Sequence, residues 1–575
     1  MGLDYPGTSP AVVYPLPGGG DLPPFQPTPP RQSVRLMASR SNHRKDDSLS
    51  AAQDPTKSPL FSRIFYEKGA SVNRMVATHI GMSAWNSALG DQLAAHLWQN
   101  PTVEDLMRSL NPFFEGTLTA MDAMLPWLRR PGFPVVTLST DSGNLVVSQK
   151  PISPYLPPLG QGESENWWIP MHVSYSSTAS PHKFAFSSKS MTVPLPENHL
   201  VGEPDSFVVG DPTFLGFYIV RYNNSADWAN RIKVAVTDLA DRPDYTRALA
   251  FQVAILVRMS HERLDLLTQL VAALNGPLAN NPKFGGYDGS GDLYTLLATN
   301  TAPIVSVANA GGVGGQLSAA LADLMGSVAT RLGWTSTEMA VNSSTSRNDA
   351  SPASPPWPQR EDSKVEIRGR NDLRPTALLT AVQYGHAQTI STALNMLRNS
   401  PSSVSGPGSR AVYFSAVRHG NQADYAAVNK LLSEAIAHNS SDEALDILFG
   451  LTSGASTSDG CTNGLSRLFD VLRAGVIQTL DVVTTLGDMI ACAPICRPAA
   501  LISLDPQAKQ LWKDQGAAAT ATITAGLATL TQEIELNIVS ELLASQGPEI
   551  VSPEEKVAAE TLIKINMAMV AANKA

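Results

Sequence analysis

Between residues 61 and 132, apolar residues recur at helical spacing. Val72, Met75, Val76, His79 and Ile80 fall at i, i+3, i+4, i+7 and i+8, which predicts one face of a helix with Gly81 as its stop. Leu93 and Leu97 predict the apolar face of a second helix, ending at Asn100-Pro101. Thr102 with Asp105 three residues on predicts a capping-box start for a third helix carrying Val103, Leu106, Met107 and Leu110. From Phe133 to about Asn224 the period changes to two. Val135 to Leu138, Leu145 to Val147, Ile169 to Val173 and Phe217 to Val220 read as short strands of a small antiparallel β-sandwich, with Pro151 to Gly162 as a loop inside it.

After Trp228 the pattern returns to helix. Arg247 to Leu274 carries Leu, Val and Ile stripes closed by Asn275-Gly276-Pro277, and further helical runs fall near 315–332, 373–398, 411–452, 463–490 and 519–574. Helix pairs without strands suggest an α-solenoid, in which each pair buries its apolar face against its neighbours. Ser/Pro-rich segments at 342–358 and 399–409 read as exposed loops within it. Residues 1–60 differ from all of this: they hold 11 of the 42 prolines and lack apolar periodicity, which predicts a largely disordered or extended leader. The fold class expected is α+β, mostly α. Its four parts are the leader (1–60), a helical segment (61–132), the β-sandwich (133–225) and a helical region (226–575).

Composition narrows the function classes. A length of 575 residues implies about three or four domains. A net charge of -9 lacks the basic excess with which a general nucleic-acid binder neutralises phosphates. No stretch approaches the run of about 20 apolar residues of a membrane helix, and the N-terminus lacks the pattern of a secretory signal. Three cysteines cannot build a disulfide framework, which predicts buried or partly buried thiols in a reducing, cytoplasmic setting.

The segment Ile64-Phe65-Tyr66-Glu67-Lys68-Gly69-Ala70-Ser71-Val72-Asn73-Arg74-Met75 resembles the Y-E-K-G-A-S-V-x-R-M element of the zinc aminopeptidases of the aminopeptidase N, puromycin-sensitive and endoplasmic-reticulum aminopeptidase family. Further matches follow in order. They are Asn100 to Leu106, Trp127 to Val136, Gln149-Lys150-Pro151, Trp168-Ile169-Pro170, Gly216 to Asn223 and Arg410 to Gly420, so the resemblance covers roughly residues 35–575. It implies that 61–132 is the helical end of a thermolysin-like catalytic domain, followed by the family's sandwich and its C-terminal helical bowl. It also implies that Tyr66 is the tyrosine whose phenol hydrogen-bonds the oxyanion formed from the scissile carbonyl, with Lys68, Gly69 and Ala70 as motif residues beside it.

The departure from the family is equally specific. Zinc of this type is held by two His at i and i+4 on a helix plus a downstream Glu, with a further Glu as general base. None of the ten His has a His four positions away. The nearest look-alike, Ser260-His261-Glu262-Arg263-Leu264-Asp265, has Asp in the second ligand position and no later Glu before Glu338. It reads as a polar turn. The family's G-x-M-E-N loop for the substrate amino group is absent as well. No metal or cofactor ligands are therefore expected in this chain, although zinc is the family's cofactor. Gly311 to Gly315 lacks the third glycine of a dinucleotide fingerprint and the Gly-Lys-Ser/Thr of a P-loop, and reads as an inter-helix loop. Cys492 and Cys496 have no second pair with which to hold zinc. The function expected is that of the C-terminal part of an aminopeptidase, inactive alone. The alternatives are a non-catalytic peptide- or protein-binding paralogue and a module pairing with a separate catalytic half. Peptides, a catalytic-domain partner and self-association are the partners these readings imply.

Overall fold

The computed structural model of the chain describes residues 68–114, 118–130, 132–152, 166–175, 182–195, 208–212, 215–223, 225–237, 243–280, 290–334, 373–406, 408–501, 503, 529–545 and 553–574. The leader, Tyr66, the 342–358 segment and the start of the last predicted helical run lie outside the described residues.

Among the described residues four α-helices come first: α1 (Gly69–Ile80), α2 (Met82–Ala95), α3 (Val103–Leu110) and α4 (Ala120–Arg129). Gly81 separates the first two with φ +93, a value that a side chain resists. Val72, Met75 and Val76 are buried, as the spacing predicts. The Thr102–Asp105 capping box forms, and a second one, Thr119–Asp122, opens α4. Leu93 and Leu97 depart from expectation. α2 ends at Ala95, Leu97 lies in the turn beyond it, and both side chains face outward.

Seven strands follow, in two sheets: β1 (Pro134–Asp141), β2 (Asn144–Pro151), β3 (Ile169–Ser174), β4 (His182–Phe186), β5 (Ser190–Pro194), β6 (Val209–Gly210) and β7 (Ile219–Tyr222). The first sheet has the order β5-β2-β1-β7 and the second β4-β3-β6. β1 and β2 form a hairpin whose turn residues, Ser142 and Gly143, both have positive φ, the signature of a two-residue turn that matches strand twist. The expectation of a purely antiparallel arrangement is corrected at one place: β7 joins β1 in parallel. The chain has left β1 and crossed the second sheet before returning, so it re-enters beside β1 in the same direction. The two sheets meet tightly, since a Cβ on Gly210 of β6 would lie 2.7 Å from Leu138 and 2.9 Å from Val220 of the first sheet.

Beyond β7 the described residues are mainly helical: α5 (Ser225–Thr237), α6 (Pro243–Arg258), α7 (Leu264–Asn280), α8 (Ser290–Ala310), α9 (Gly315–Leu332), α10 (373–383), α11 (Ala387–Asn399), α12 (Ser409–His419), α13 (Gln422–Ala437), α14 (Ser441–Ser453), α15 (Ser458–Arg473), α16 (Thr479–Cys492), α17 (Glu533–Ser545) and α18 (Pro553–Lys574). α7 runs on through Asn275-Gly276-Pro277, the predicted stop, to Asn280. The Gly-rich segment 311–314 is the turn between α8 and α9. One cluster of buried apolar residues extends from Val72 through both sheets to Val382 and takes in Phe414, Phe449 and Val570; a second begins at Ala393, includes Ile563 and shares α12, α14 and α18 with the first.

The cysteine expectation is overturned. Cys461 on α15 and Cys496 in a 3-10 turn (Pro494–Cys496) are joined by a disulfide, with their Cα atoms 5.4 Å apart, and Cys492 is the free thiol. Sequence spacing pairs Cys496 with Cys492. Helix packing instead brings it to a cysteine 35 residues away. No helix among the described residues is long and apolar enough to cross a membrane.

Candidate functional site

The motif segments converge where α1 and α4 meet the sheets. Lys68 is fully buried, and its Nζ donates to the carbonyl of Arg130 at 2.7 Å. That carbonyl follows the last residue of α4, where a cation also meets the negative end of the helix dipole. Arg130 in turn donates to the Asn166 carbonyl at 3.0 Å and lies over the Trp167 ring. Trp127 donates from its indole to the Trp168 carbonyl at 2.8 Å, and Trp168 receives the edge of His79 from α1. Gln149 is buried and saturated: its amide donates to the Trp167 and Ser188 carbonyls and its oxygen accepts from the Trp167 N–H. Gly69 and Ala70 open α1, Gly69 with open space around its Cβ position and Ala70 exposed.

One turn further along α1, the motif reaches the segment that leads into the helical region. The Met75 sulfur accepts from the Phe217 N–H at 3.4 Å. Arg74 faces Asp211, whose carboxylate accepts from the N–H groups of Leu215 and Gly216. Burial pushes Asp211 up to about 6, against the pull of these two N–H groups and of Arg74. Gly216 is required here, because a Cβ would sit 2.1 Å from the Tyr218 ring. Lys68, Arg74, Met75, Trp127, Gln149, Trp168 and Gly216 therefore form one packing node. Arg130 lies inside the matched Trp127–Val136 segment, whereas Asp211, which the resemblance did not single out, lies in none of the matched segments.

The zinc look-alike is a turn between α6 and α7. His261 Nε2 donates to the Ile152 carbonyl at 2.6 Å. Glu262 accepts from Arg221 Nε at 2.8 Å and from the Trp228 indole at 3.3 Å, and Asp265 is exposed. His261 thus fastens the turn to the end of β2, and Glu262 fastens it to β7 and α5. Among the described residues no three His, Cys, Asp or Glu side chains come together to hold a metal ion. These residues do not fit a zinc site.

His172 on β3 gives the node a pH signature. Burial holds its imidazole down to about 4; Lys183, its partner across the strand pair, and His79 add to this. The unfolded imidazole titrates near its ordinary 6.5, so between pH 6.5 and 4 the unfolded chain binds the extra proton and stability falls as pH falls. Asp211, raised in the fold, acts in the opposite sense below about pH 6. Comparison with a variant isolates the histidine. His172→Gln is expected to lower the pH slope of the unfolding free energy, read from urea titrations across this window, by about 1 kcal/mol per pH unit. Parallel profiles for the two proteins would overturn the assignment.

In sequence the chain is similar to several aminopeptidases named M1 or N. It is 26% identical to aminopeptidase M1-A of Oryza sativa over 291 residues, which is 48% of this chain and 30% of that protein. Aminopeptidase M1 of Arabidopsis thaliana is 27% identical over 175 residues, 29% of this chain and 19% of that protein. Aminopeptidase N of Mus musculus is 25% identical over 230 residues, 35% and 21% of the respective chains. The matched region thus spans under a third of each of these relatives. No family model matches the chain.

Proposed function

We propose that this chain provides the C-terminal part of an aminopeptidase and is inactive without a zinc-bearing portion that seats on α2 and the turn after it. In this reading, 61–132 is the helical end of the catalytic unit, 133–225 the sandwich and 226–575 the helical domain that covers peptide substrates. Tyr66, two residues ahead of the anchored Lys68, is the hydrogen-bond donor to the substrate carbonyl oxygen.

One observation carries the reading. Trp98 is 99% exposed at φ +63, Leu93 and Leu97 near it in sequence are 68% and 63% exposed, and Met82 at the start of α2 is 59% exposed. Met82 and Leu93 lie eleven residues apart on α2, three helical turns, so they share one face. Exposed tryptophan beside leucine is the composition of an interface centre rather than of a solvated surface. This face adjoins the segment that carries the aminopeptidase motif. The experiment is an activity assay on the 575-residue protein with added zinc and a fluorogenic amino-acid amide. The expected result is no turnover and no stoichiometric zinc. Chelator-sensitive turnover by the pure chain would overturn the proposal.

A further inference from the structure

The disulfide lies next to the strongest buried polar junction of the helical region. Arg497 follows Cys496 directly and is 1% exposed. Its Nε donates to the Ile490 carbonyl at 2.9 Å, one terminal nitrogen donates to Ser306 Oγ at 3.1 Å, and the other lies 3.5 Å from Glu535 Oε1. Ser306 also donates to the Ala491 carbonyl. The second oxygen of Glu535 accepts from the N–H groups of Thr531 and Gln532. One guanidinium thus ties α8, whose Val305 and Val307 belong to the first apolar cluster, to α16 and α17, whose Ile490 and Val539 belong to the second. A buried charge of this kind holds only while its partners stay in place. The 3-10 turn carrying Cys496 leads directly into helical residues from Arg497 onward, and Cys496 is buried, so the bond to α15 fastens the base of the Arg497 junction.

We propose that the Cys461–Cys496 disulfide is a redox-operated clasp whose opening releases the Arg497 junction. Opening transfers two electrons and two protons from a dithiol reductant to the S–S bond, leaving two cysteine thiols and the reductant as its disulfide. Cys492, four residues before Cys496, does not interfere. Burial and Asp488 push its thiol up to about 12, so it stays protonated at neutral pH and does not attack the bond.

The test uses the full chain produced in an oxidising compartment. Thiol titration of the unfolded, unreduced protein is expected to find one thiol, and three after dithiothreitol. Hydrogen exchange on the native protein is expected to rise by about tenfold or more on reduction at residues 304–308, 490–497 and 531–535, with β1 and β2 unchanged. Cys461→Ser/Cys496→Ser is expected to show the reduced pattern and no response to dithiothreitol, whereas Cys492→Ser responds as the parent does. Should the double variant fail to fold, the reduced parent supplies the comparison. Three thiols before reduction, or equal exchange in both redox states, would refute the clasp.

Discussion

Replacing Trp127 with alanine is expected to lower stability by about 4 kcal/mol, the upper range for deleting a buried aromatic side chain. Trp127 is fully buried on α4, its ring centroid 6.0 Å from that of Trp167 and 6.1 Å from that of Phe217. It therefore touches both the segment leading into β3 and the segment leading into β7. Two separate losses add. The cavity has walls on three elements and cannot collapse without moving a sheet, and the Trp168 carbonyl loses its donor while buried. Trp127→Phe keeps most of the packing and loses the hydrogen bond, and is expected to cost about 2 kcal/mol. Urea unfolding followed by circular dichroism reads both variants. Equal losses for the two would mean that the hydrogen bond alone matters, and a loss below about 1 kcal/mol for alanine would dissolve the packing node.

Much of this node was legible because its signals are local. The Val72-Met75-Val76 stripe, the Thr102–Asp105 capping box and the helix at 315–332 depend on residues within a few positions of one another. The motif residues were legible by resemblance, but their present work was not. Lys68 reads as a motif lysine and proves to be the cap of α4, 62 residues away. Long-range pairing explains the other departures. β4, β5 and β6 are short strands whose apolar residues are few, and only their ladder partners define them. Cys461 and Cys496 come together only once α15 and α16 have packed. Pro277 stays inside α7 because tertiary context overrides a local stop signal. Leu93 and Leu97 follow helical spacing and still face outward, because periodicity marks a face without saying what covers it.

That outward face is where the second large effect is expected. A lone chain presenting Met82, Leu93, Leu97 and Trp98 should associate with itself and bind a hydrophobic dye, since several large apolar side chains exposed on one helix and the turn after it mark a partner site. Leu93→Glu/Leu97→Glu/Trp98→Glu places three charges on side chains that make no buried contact, so folding should be untouched while association is lost. Retained circular dichroism and an unchanged urea midpoint would separate loss of association from loss of structure. Sedimentation velocity of the full 575-residue chain across a concentration series, with dye fluorescence in parallel, is the most direct test that this surface is an interface. A concentration-dependent rise in sedimentation coefficient and a strong dye signal are expected, both abolished in the triple variant. A parent chain that sediments as a monomer at every concentration and leaves the dye dark would contradict the interface.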